Sequence, residues 1–117
     1  MSDTSDCARE LEWSGGKHVF NLGHAWVRNV LSVRGLPGQF GNTPAACLKR
    51  FDESIFDSED VERILELGLI GGGLSRADAA KLIDQRVSGQ PIAPNAVIAF
   101  QVLAALFVGK VEANADA

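Results

Sequence analysis

From Val87 to Gly109 the chain carries no charged residue. No other stretch limits the possible folds so strongly. Its continuous apolar part, "AVIAFQVLAALFVG", follows Pro91, Pro94 and Asn95 and contains Gln101. That run is shorter than the roughly 18 to 20 apolar residues a membrane-spanning helix needs, so the expectation is a buried helix over about 94–108, opened by Pro94, and no membrane partner. Val97, Ile98, Phe100, Leu103, Leu106 and Phe107 cover too much of one helical circumference for an ordinary surface helix. Such a helix is either central to the core or meets a partner. Core packing is the plainer reading for any one residue, and Val97, Phe100, Leu103, Leu106 and Phe107 are the candidate partner-binding set.

A chain of 117 residues, 46% hydrophobic and 22% charged, has enough material to wrap one modest core around that helix and too little for a second full domain. The formal net charge of -4 and a pI near 5.0 argue against a nucleic-acid partner, because affinity for phosphates requires clustered Lys and Arg. Only Lys49 and Arg50 are adjacent. Cys7 and Cys47 make no disulfide framework and suit a reducing cytosol. "MSDTSDCARE" is acidic, with no apolar run before Leu11, and reads as neither a secretory signal nor a basic transit peptide. Residues 1–9 and 110–117 are expected to be flexible tails flanking a single domain over 10–109.

Within that domain "ELEW" and "KHVFNL" flank "SGG", where glycine supplies the positive φ angles of a tight hairpin turn. The hairpin is expected over 10–22, with His18, Phe20 and Leu22 on one face. Trp26, Val27, Val30 and Leu31 then recur at helical spacing, predicting a helix over about 24–33. "RGLPGQFGN" ends it as an extended loop. Thr43 followed by Pro44 marks a capped helix start over about 44–52. Val61, Ile64, Leu65 and Gly68 form the inner stripe of a helix over about 59–70, with Glu59 and Arg63 spaced as an i, i+4 pair. Ser75 caps a further helix over about 76–87, with Asp78 in a capping-box position and Leu74 placed to staple onto Ala79. Together with the apolar helix these spans give an α+β fold, a β-hairpin followed by about four helices, mostly helical.

Three constellations invite chemistry. "GLIGGGLS", residues 68–75, approaches the phosphate-binding pattern G-x-x-x-x-G-K-[ST]. A phosphate loop follows a buried strand and uses its lysine to neutralise charge, whereas here an amphipathic helix precedes and Leu74 holds the lysine position. A helix-to-helix turn, with a left-handed glycine and the Ser75 cap, accounts for the same residues without a nucleotide or anion. His18, His24, Cys7 and Cys47 match no metal-ligand spacing. His18 reads as a strand residue and His24 as part of a first helical turn. "FDESIFDSED" lacks the alternation and glycine of a calcium loop, and Asp57 to Asp60 stand where a helix dipole favours negative charge. Two histidines offer no distinctive nucleophile–base arrangement. The expectations are therefore no enzyme, no cofactor and no metal.

The run "FNLGHAWVRNVL", followed by "RFDESIFDSEDVERILELGLIGGGLSRADAAKLI", resembles the small tail proteins of gene transfer agents and related tailed phages, encoded near the tape measure protein. The parts that match are Leu22 to Gly23, Arg50 to Phe51, Val61 to Leu67, Gly68 to Gly73 with Leu69 and Ile70, and Ser75 to Ile83, and the resemblance covers roughly residues 10–108. It implies a cytoplasmic tail assembly chaperone, encoded by a phage, prophage or gene transfer agent, that keeps the tape measure protein soluble while tube subunits polymerise around it. The same family is also described as a tail tube component. Its implied partners are the tape measure protein or other tail proteins, with self-association into a homo-oligomer as a further implication.

Overall fold

The computed structural model describes residues 6–109. The chain runs β1 (Ala8–Trp13), β2 (Gly16–Asn21), α1 (Ala25–Val33), α2 (Pro44–Asp52), α3 (Ser58–Gly71), α4 (Arg76–Arg86) and α5 (Ile92–Val108). The α+β expectation holds, and among the described residues five helices, against the expected four or so, follow the hairpin. The expected tail at 110–117 lies outside the described residues, as do residues 1–5 of the N-terminal one. From Ala8 onward that stretch is strand.

β1 and β2 pair antiparallel, with Trp13 opposite Gly16 and Leu11 opposite His18. Ser14 at φ 55° and Gly15 at φ 82° form the two-residue turn; positive φ at both positions matches the right-handed twist of the strands. On the inner face the Trp13 ring meets His18 edge-on at 5.2 Å between centroids and Phe20 at 5.8 Å. His18 is thus a member of an aromatic cluster. The start of β1 is tied to the end of α5, since the Arg9 guanidinium donates to the carbonyls of Asp6, at 2.8 Å, and of Gly109.

Local capping sets the helix starts. The Asn21 side chain accepts from the Gly23 N–H at 2.9 Å and turns the chain out of β2. His24 then caps α1, its Nδ1 accepting from the Trp26 N–H at 3.1 Å, so it stands just before the first turn. Thr43 caps α2 and Pro44 occupies its first position. Asp57 and Asp60 form a reciprocal capping box on α3, and Ser75 Oγ accepts from the Asp78 N–H at 3.0 Å on α4. α5 starts at Ile92, two residues before Pro94. This costs nothing, because an N–H in the first helical turn has no intrahelical acceptor and a proline lacking it is tolerated there.

α3 is the central element, packed against β2, α1, α4 and α5. Phe20 from the hairpin, Leu22 just after it, Val27 from α1, Ile64, Leu65 and Leu69 from α3, and Ala99, Val102 and Leu103 from α5 share one buried cluster. Trp13 and α5 are joined inside it by a hydrogen bond from the indole N–H to Asn95 Oδ1 at 2.8 Å, and the Asn95 amide donates to the Arg86 carbonyl at 3.3 Å. One buried side chain thereby links the hairpin, α4 and α5. An indole N–H in a core is costly unless paired, and Asn95 supplies the partner.

Candidate partner-binding surface

The glycine run is more than a turn. Gly68 and Gly71 lie inside α3, and the helix presses its glycine face onto the backbone of β2. A Cβ on Gly71 would fall 1.8 Å from the Asn21 carbonyl oxygen, one on Gly72 would fall 1.9 Å from that of Val19, and one on Gly68 would meet Phe20 and Val102 at 3.1 Å. The run then closes α3. Gly73, at φ 121°, donates to the Ile70 carbonyl at 3.0 Å and Leu74 to that of Leu69 at 3.0 Å, the paired bonds of a Schellman ending. Leu74 packs against the core cluster that contains Leu69 and Ala79, so it serves the end of α3 and the start of α4 together. The amides of Gly72, Gly73 and Leu74 all donate to carbonyls of α3 itself.

A second organising centre has no counterpart in the expectations above. Arg50 of α2 and Asp60 of α3, each 2% exposed, form a bidentate pair, Nε to Oδ2 at 3.0 Å and Nη2 to Oδ1 at 2.7 Å. The remaining guanidinium donors reach the carbonyls of Leu36 at 2.8 Å, Gln39 at 2.9 Å and Gly41 at 3.2 Å. All five N–H groups of the guanidinium are thus used. Donating to the Asp60 carboxylate pushes the Arg50 pKa above its ordinary value. Gly38 gives the clamp its room, since a Cβ there would lie 2.6 Å from the Arg50 guanidinium carbon. The glycine-rich loop between α1 and α2 is therefore a fixed wall, gripped through its carbonyls.

Cys47 sits beside this clamp, fully buried. Burial, reinforced by the Asp60 charge, pushes its thiol up to about 12 from the usual 9.0. A raised thiol pKa favours the protonated native form, so this group's contribution to stability is complete below pH 9 and is lost as pH rises from there through about 12. The thiolate is the reactive species. In the folded protein at pH 8 Cys47 is expected to resist iodoacetamide, becoming labelled only in denaturant, as mass spectrometry of the Cys47 peptide would detect; rapid labelling without denaturant would contradict the burial.

Among the described residues no group of three or more His, Cys, Asp or Glu side chains is placed to hold a metal. No described helix is long and apolar enough to cross a membrane. What the surface does offer is apolar. Of the five candidate residues on α5, Val97 (59% exposed), Phe100 (41%) and Phe107 (47%) face outward, together with Val108. Leu106 is half-buried, and Leu103 is fully buried, so it supports this face from within. Phe100 leans toward Phe51, with 6.3 Å between centroids, and Phe51 stacks on Phe56 at 4.6 Å. The outward face of α5 therefore rests on an aromatic base contributed by α2 and the α2–α3 connection.

The family model described as "Phage tail tube protein, GTA-gp10" matches residues 6–109. The chain belongs to this family. No curated protein and no solved structure matches it. Membership in the GTA-gp10 family agrees with the resemblance drawn from "RF", the amphipathic α3 and the glycine run. The fold gives those motifs separate tasks in this member: Arg50 grips the loop, Phe51 supports α5, and the glycines let α3 touch β2. The Arg50–Asp60 pair left only a faint mark in the sequence, an arginine on the predicted α2 and a carboxylate at the third position of α3.

Proposed function

We propose that this gene transfer agent or phage tail protein acts as a tail assembly chaperone in the cytoplasm, holding the tape measure protein during tail morphogenesis. The observation that carries the reading is the outward face of α5, where Val97, Phe100, Phe107 and Val108 are exposed on a helix with no charged residue. Such a face suits an amphipathic helix laid along it. The two-stranded sheet among the described residues supports the same choice, because a tube subunit needs sheet enough to close a ring.

Co-expression with a tape measure fragment is expected to raise that fragment's solubility and to co-purify the pair. Val97→Asp with Phe107→Asp buries two carboxylates in the contact and is expected to weaken the complex by about 2 kcal/mol or more, some thirty-fold, in a pull-down titration. Unchanged fragment solubility with wild-type protein would sink the reading. The matched family's description as a tail tube protein supports a second reading, a structural tail subunit. Quantitative mass spectrometry of purified particles separates the two: a structural subunit remains in many copies, whereas a chaperone leaves before the particle is complete.

A further inference from the structure

A groove of about 820 Å³ runs between α1 and α3, bordered by the clamped loop and the first residue of α4. Val33, Leu67 and Ile70 line its apolar part. Val33 is the most exposed large hydrophobic side chain among the described residues, at 76%, on a helix whose other side packs into the core.

The charges around the groove run against the rest of the molecule. Arg34, Arg63 and Arg76 line it, with Glu66 the one carboxylate among the lining residues, on a chain of net charge -4. Arg76 lies over the Trp26 ring at 5.6 Å. Arg63 meets Glu59 only at 3.8 Å, with both side chains solvent-exposed, and an ion pair of that kind is weak and easily exchanged. The Arg50 clamp holds the Leu36 carbonyl, between the lining residues Gly35 and Pro37, so this wall is already in place before anything binds.

We infer that this groove docks an amphipathic helix from another protein, one with an apolar stripe flanked by Asp or Glu. The stripe would lie on Val33, Leu67 and Ile70, and the flanking carboxylates would meet Arg34, Arg63 and Arg76. From Arg63 to Ile70 the α3 wall spans about two helical turns, roughly 10 Å, enough for an i, i+3, i+4, i+7 set of anchors. Arginine suits the flanks because its planar fork pairs with carboxylates in two-point fashion. Nucleic acid is disfavoured, since three arginines around an apolar groove on an acidic chain make no phosphate track. The site is separate from the outward face of α5 and does not depend on the tail-assembly reading.

The test uses the full chain and a fluorescein-labelled helical peptide of about 20 residues, with leucine at i, i+3, i+4 and i+7 positions and glutamate flanks. A matched peptide with lysine flanks and a scrambled glutamate peptide serve as comparisons. Fluorescence anisotropy is expected to show the glutamate peptide binding at least about ten-fold tighter than either, with affinity falling as salt rises. Arg63→Gln with Arg76→Gln, both at exposed or half-exposed positions, is expected to remove that preference while circular dichroism stays unchanged. Val33→Asp is expected to weaken binding of the glutamate peptide and to remove its advantage over the lysine peptide, whereas Val97→Asp is expected to leave that advantage in place. Equal binding of the glutamate and lysine peptides, no binding of either, or loss of the glutamate preference with Val97→Asp alone would overturn the inference. So would co-sedimentation with phosphatidylserine vesicles that the arginine substitutions abolish, which would make the groove a membrane contact.

Discussion

Arg50→Ala is expected to destabilise the protein by about 3 to 5 kcal/mol, because it leaves the Asp60 carboxylate charged and buried without its partner. For a domain of this size that corresponds to a fall in melting temperature of about 10 to 20 °C, measurable by calorimetry. The same substitution releases the carbonyls of Leu36, Gln39 and Gly41, so amide exchange should rise through residues 36–41 as well. Asp60→Asn tests the other half. It keeps an oxygen for the capping bond to the Asp57 N–H while removing the charge, and a smaller loss than that of Asp60→Ala is expected. Replacing both partners with apolar residues would relieve a simple buried ion pair. Here the double variant Arg50→Met with Asp60→Leu is expected to remain destabilised, since three loop carbonyls and one helix cap still lose their partners. A double variant as stable as the wild type would show that the clamp contributes nothing beyond the ion pair.

Gly71→Ala and Gly72→Ala are each expected to cost about 3 kcal/mol or more, at the upper end of overpacking effects. Their added methyl groups would lie within 2 Å of the carbonyl oxygens of Asn21 and Val19, and backbone cannot move aside as a flexible side chain can. Relief requires α3 to lift from β2, opening the cluster around Phe20 and Leu69. Gly73→Ala is the informative control. Nothing lies within 4 Å of a Cβ there, and the cost comes only from its positive φ, about 1 to 3 kcal/mol. Chemical denaturation of the three variants should therefore rank Gly73 as the mildest. Losses at Gly71 and Gly72 no larger than the loss at Gly73 would mean that contact with the hairpin does not explain those two glycines.

These two sites show where sequence reading succeeds and where it stops. Caps are short-range objects: Thr43 and Ser75 satisfy amides three residues away, and the carboxylates from Asp57 to Asp60 stand at the helix start they cap, so local order reveals them. The SGG turn is legible for the same reason. A pair such as Arg50 and Asp60 depends instead on how α2 and α3 are brought together across the loop, and nothing in the spacing of the two residues requires it. The glycines had a sufficient local explanation as a helix end, which concealed the second one, that α3 approaches β2 too closely for side chains. On α5 the difficulty was different. A helix with no charged residue bears almost no polar mark to tell outside from inside, so Leu103 and Val97 looked alike, although one is sealed in the core and the other is open to solvent.

The link between Trp13 and Asn95 spans 82 positions of chain, and α5 also packs on β1, β2 and α3. During synthesis the hairpin and α3 emerge well before the helix that covers them. Phe20, Leu69 and their neighbours therefore wait without their final cover until α5 arrives, and the native core closes only once that helix has been made. Contacts so distant along the chain slow folding and lengthen the life of sticky intermediates. An interrupted product lacking α5 would carry that apolar surface permanently, and aggregation is its expected fate.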